Sequence, residues 1–88
     1  MNAVHVIEGT EYERGWGQRP DGYVAFNSKE AALKYIVDYD KKYNNLPSAP
    51  AEFTKYSYVG IKECSAAFEA EVAQKGQKHF FRTPELKA

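Results

Sequence analysis

Eighty-eight residues with a single cysteine, Cys64, leave room for one hydrophobic core and for no intramolecular disulfide. Twelve Lys and Arg offset twelve Asp and Glu, with the signs interleaved along the chain, a balance that argues against a generic binder of phosphate backbones. Two histidines and one thiol lack the paired spacing of a structural zinc site, and no segment reaches membrane-spanning length. The N-terminal run Met1–Glu8 has no basic start and too short an apolar stretch for a signal peptide. The expectation is one soluble domain over residues 1–88, in a reducing cytoplasm, without metal, cofactor or membrane. Seven tyrosines, five phenylalanines and one tryptophan are the compositional outlier. Tyrosine fills cores and is also enriched at interfaces.

In chain order, Val4 and Val6 alternate with Ala3, His5 and Ile7, which predicts a first strand over 3–8, extending towards Tyr12. The segment Gly15–Gly22 follows, with three glycines and a proline around Trp16. Pro20-Asp21-Gly22 is a turn signal that predicts chain reversal into Tyr23–Phe26 and hence an opening hairpin. Asn27 with Glu30 reads as a capping box. Behind it Ala32, Tyr35, Ile36, Tyr39 and Tyr43 recur at helical spacing, with Leu33 and Val37 broadening the apolar face. Asn44-Asn45 and Pro47 should end this helix, and Leu46–Pro50 reads as a loop.

Lys55–Lys62 alternates and is rich in strand formers, placing Tyr56 and Tyr58 on one face and Ser57, Val59 and Ile61 on the other. Ser65 can cap a second helix carrying Ala67, Phe68 and Val72, stopped by Gly76. Lys78–Arg82 reads as a fourth strand or an extended tail, with loose residues after Pro84. The fold class is therefore α+β. The order β-β-α-β-α-β builds an antiparallel or mixed sheet of three to four strands, with both helices on one face and tyrosines on the open one.

No catalytic constellation is legible. Cys64 near a helix start is the one candidate thiol nucleophile, but a lone cysteine is more often structural. His5 and His79 could meet as acid and base, and Glu8, Glu11 and Glu13 could offer oxygen ligands to a cation. Packing histidines and a solvated acidic edge are the simpler readings. Gly15-Trp16-Gly17 with Arg19 matches neither a dinucleotide fingerprint nor a Walker loop. Its glycines allow the backbone to bend around the indole, and Trp16 is either a core plug or an exposed anchor beside Arg19.

Gly17-Gln18-Arg19-Pro20-Asp21-Gly22-Tyr23, followed by a capped helix with Tyr35-Ile36 and Tyr39, resembles small accessory proteins encoded by tailed bacteriophages. The resemblance covers the first half of the chain and implies a protein that binds, and inhibits or redirects, a bacterial host or defence protein in the host cytoplasm. It carries no catalytic residues. Together with balanced charge and excess aromatics, it predicts a non-enzymatic protein-binding module with Trp16, Arg19, Tyr23, Tyr56 and Tyr58 as anchors. The alternative is a binder of single-stranded nucleic acid or nucleotides, stacking bases on Tyr56 and Tyr58 beside Lys55, Lys62, Lys78 and Arg82. An exposed strand edge or tyrosine face could equally pair with a second copy of the chain.

Overall fold

The computed structural model of the chain describes residues 2–13, 17–44 and 52–87. Alternation carries the first strand, β1 (Ala3–Glu13), further than the six residues with the strongest pattern, because it is paired on both sides from His5 to Glu13. It is flanked by β2 (Gly17–Phe26) and β3 (Glu52–Glu63), and a short β4 (Lys78–Phe80) adds to β2 at Tyr23–Ala25. The spatial order is β3-β1-β2-β4, antiparallel throughout. Helix α1 (Lys29–Tyr39) links β2 to β3, and α2 (Ala66–Lys75) links β3 to β4. The α+β class and the order β-β-α-β-α-β are as the residue pattern predicts.

The helices do not share a face. Val4, Val6 and Ala25 pack with Phe68 and Val72 of α2, together with Phe80 and Leu86. Ile7, Val24 and Phe26 pack instead with Ala32 of α1, joined by Tyr35, Ile36, Tyr56 and Tyr58. Successive side chains of a strand point to opposite sides, so these two clusters lie on opposite faces, with α2 over one and α1 over the other. The expected single covered face is corrected by the composition of the central strands. Val4-His5-Val6-Ile7 and Val24-Ala25-Phe26 are nearly continuous apolar runs, as befits strands buried on both sides.

Pro20-Asp21-Gly22 is not the hairpin turn. Gly9 pairs with Gly22 and Thr10 with Pro20, so Asp21 is the extra residue of a bulge inside β2. Gly22 absorbs the distortion at φ 99°. Pro20 lies where β4 no longer flanks β2, so its missing N–H forfeits no ladder bond on that side. The ladder continues to Glu13 opposite Gly17, and residues 14–16 lie outside the described residues. A second bulge in β3 leaves Val59 unpaired between Tyr58 and Gly60, and returns Ile61 to the face of His5, its partner across the ladder. The shared face expected for Ser57, Val59 and Ile61 is broken there.

Ser28, not Asn27, caps α1: its backbone is extended and its Oγ accepts from Ala31 N–H at 3.2 Å. Leu33 and Val37 do not broaden the buried face; they are 42% and 51% exposed. The helix passes into a π-helical turn at Asp40–Asn44, while the expected stop at Asn45 and Pro47 and the loop to Pro50 lie outside the described residues. Ser65 caps α2 by accepting from Phe68 N–H, and Gly76 ends it at φ 83°, both as predicted. Of Lys78–Arg82 only Lys78–Phe80 is strand. The segment after Pro84 is ordered rather than loose. Thr83–Lys87 forms a 3-10 turn that buries Leu86 in the α2 core, and the Leu86 carbonyl accepts from Ser65 N–H at 2.7 Å.

Candidate interaction surfaces

The α1 side holds most of the tyrosines. Spacing of four places Tyr35 and Tyr39 on one flank of α1, and the π-helical turn keeps Tyr43 in line, with ring centroids 6.1 and 4.6 Å apart in turn. Tyr56 of β3 meets Tyr35 and Tyr39 edge-on at 5.4 and 4.9 Å. Its ring lies against Gly9, the residue across the ladder, where any side chain would occupy the same space. Burial, then the neighbouring Tyr35, Tyr39 and Asp21, push the Tyr56 hydroxyl well above the usual tyrosine range. Burial also raises Tyr39, against the opposing effect of a hydrogen bond with Thr54. Tyr58 bonds through Oη to His5 Nδ1 at 2.9 Å, and the Lys29 ammonium sits over its ring.

Tyr56 and Tyr58 are therefore half-buried beneath α1 and do not form an open stacking face. Register sets Lys55 and Lys62 opposite Thr10 and Val4, on the α2 side, away from the tyrosines. Lys78 is engaged by Glu71 and lies over the Phe68 ring. The basic and aromatic residues named for base stacking are thus split between two faces.

Of the other anchors, Tyr23 is half-buried on the α2 side, its ring stacked on Phe80 at 5.1 Å. Arg19 is exposed and holds Glu11, its direct partner across the hairpin, through two contacts of 3.2 and 3.3 Å. Trp16 lies outside the described residues. The four described anchors, Arg19, Tyr23, Tyr56 and Tyr58, do not converge on one patch. Sequence reasoning passed over Phe81, which is 73% exposed and lies against Gly22 beside the β2 bulge. Its apolar neighbour Phe80 was a signal, since a strand with Phe80 inward must turn Phe81 outward.

A molecule 44 × 24 × 18 Å has a long axis, and the helices cover only part of it. The α2-side cluster ends at Val6 and Tyr23. Beyond it the same face carries Thr10, Tyr12, Gln18, Pro20, Lys55 and Ser57, all exposed or partly so. The far ends of β1, β2 and β3 thus make a three-stranded arm.

The candidate reactive groups stay apart. His5 and His79 are on strands separated by β2, and His79 contacts Gln77 at 3.4 Å. Burial and the charge of Glu69 push the Cys64 thiol up, and the N-cap position that would favour a thiolate belongs to Ser65. Glu8 and Glu11 point to opposite faces, and no group of three or more His, Cys, Asp or Glu among the described residues could hold a metal ion. No helix of the described residues is long and apolar enough to cross a membrane. Comparison with family models, curated proteins and solved structures returns no match.

Proposed function

We propose that this chain is a non-enzymatic protein-binding module that contacts its partner through the end of the β1–β2 arm, with Arg19 as the leading side chain. The observation that carries this reading is the arm itself. On the α2 side three strands run on past the helix-covered core, and β2 there carries the exposed residues Gly17–Asp21, with the exposed ring of Phe81 against Gly22 at the base of this stretch. Arg19 pairs with Glu11 and keeps most of its side chain exposed, so its planar guanidinium is presented where a partner carboxylate or carbonyl would reach it. Phe81 adds an aromatic surface of the kind enriched in contact centres. Trp16 directly precedes Gly17 in the sequence. Tyr56 and Tyr58 support the arm from within and are not contact residues in this reading. The bacteriophage resemblance supplies the partner class, a bacterial host or defence protein that this module would inhibit.

Affinity capture from bacterial lysate with the intact chain, followed by identification of the retained protein, tests the proposal. A single retained species, lost with Trp16→Ala combined with Arg19→Ala and weakened by Phe81→Ser, supports it. Retention unaffected by these changes, or retention only of single-stranded nucleic acid in a salt-sensitive manner, sinks it.

A further inference from the structure

Strand β3 closes one side of the sheet, and among the described residues nothing pairs with its outer edge. Above this edge runs one flank of α1. Ala31, Lys34 and Asp38 line a groove towards Lys75–Gln77 and hence the β4 side, whereas Lys29 lies over Tyr58 of β3. At about 100° per residue, Leu33 and Val37 fall on the same flank as Lys29, rotated progressively away from the sheet. They are one turn apart and among the few large apolar side chains that remain exposed. A single added strand would lie in the plane of the sheet, below the level of Val37. Covering both residues requires something at helix height beside an edge-paired strand.

We infer that the occupant is a second copy of this chain, joined by antiparallel β3–β3 pairing about a two-fold axis perpendicular to the sheet. Such an axis keeps both α1 helices on one face, antiparallel and side by side, and extends the sheet from four strands to eight. The level of the axis follows from the packing. Tyr35 and Tyr39 sit on Tyr56, so an axis at Tyr56 brings the middle of α1, with Leu33 and Val37, against its symmetry mate. It confines pairing to the stretch before the Val59 bulge and sets Lys55 opposite Ser57, where an axis at Lys55 would oppose two lysines.

Charge agrees with this pairing. Lys29 and Glu30 begin α1, and Asp40 and Lys41 follow its end. In the antiparallel helix pair Lys29 meets Asp40 of the other copy at the inner level, and Glu30 meets Lys41 at the outer level. This association uses α1 and the β3 edge, including the β3 side of the arm, and does not involve the Gly17–Asp21 segment of β2 proposed to bind a heterologous partner.

Light scattering coupled to size exclusion, with sedimentation equilibrium over a concentration series, tests the inference. The unmodified chain should show the mass of two chains, falling to one on dilution. Leu33→Lys combined with Val37→Lys should raise the dissociation constant by about a hundredfold or more, with an unchanged far-UV spectrum. Glu30→Lys alone should weaken association about tenfold, and adding Lys41→Glu should restore it. Phe81→Ser should leave the mass unchanged. A one-chain mass at every concentration overturns the inference. So does a dimer indifferent to the lysine pair, a dimer dissociated by Phe81→Ser, or a failure of Lys41→Glu to rescue Glu30→Lys; that last arm decides the matter even if the double lysine variant does not fold.

Discussion

Gly9 carries a consequence that its lack of a side chain conceals. Its backbone is not left-handed, so alanine is conformationally acceptable, yet a methyl group would sit 2.8 Å from Cε1 of the Tyr56 ring. That ring is boxed by Tyr35 and Tyr39 and cannot swing freely. Gly9→Ala should therefore destabilise the fold by about 1–3 kcal/mol, the range for overpacking. Denaturant unfolding measures it, and in a Tyr56→Ala background the penalty should largely vanish, because the clash is the whole cause. An undiminished cost in that background would point to strain in the backbone of β1. Position 9 reads in the sequence as an interruption of the strand pattern, and only the register of β1 against β3 reveals it as the seat of an aromatic ring. Tyr56 and Tyr58 were correctly assigned to a common face. Their burial was not legible, because which face a helix covers depends on the crossover and not on the strand itself.

At the scale of elements, local chemistry was the readable part, to within one residue. Asn27 and Glu30 have capping-box spacing, but Ser28 takes the extended backbone and receives the Ala31 amide, while Asn27 is exposed. Ser28→Ala should cost about 0.5–2 kcal/mol and Asn27→Ala close to nothing, compared by thermal or urea unfolding. Equal losses at both positions would mean that the two residues share the cap. The caps at Ser65 and Gly76 were legible because each is a purely local signal. Pro20-Asp21-Gly22 misled for the same reason. Turn residues supply bent backbone, and a bulge on an open stretch of strand needs the same φ angles as a reversal. Likewise, the burial of Leu86 depends on the 3-10 turn docking against α2, a contact between distant elements that no local pattern around Pro84 encodes.

The whole molecule has two half-cores on one sheet, and this arrangement predicts how its stability is distributed. Val4 and Val6 serve the α2 cluster while Ile7, between them and the arm, serves the α1 cluster, so neither half can open without exposing the central strands to water on the other side. Global unfolding should therefore be a single cooperative event for the region spanning Val4–Ile7 and Val24–Phe26. The arm is different. Thr10–Tyr12 of β1 and Gln18–Asp21 of β2 are held by ladder bonds and by the Arg19–Glu11 pair, while the tyrosines of α1 meet only the neighbouring β3, at Tyr56 and Thr54. An exposed ion pair of this type contributes little, about 0–1 kcal/mol. Native-state hydrogen exchange should resolve a gradient along the 44 Å axis, with amides of Val4–Ile7 and Val24–Phe26 exchanging only through global unfolding and those of Gln18–Asp21 opening orders of magnitude more often. Arg19→Ala should accelerate exchange only modestly, and only in the arm. Uniform protection along β1 would show instead that the arm belongs to the cooperative core. The surface proposed to meet a partner would then be locally the weakest part of the fold, able to adjust while the two half-cores hold its strands in register.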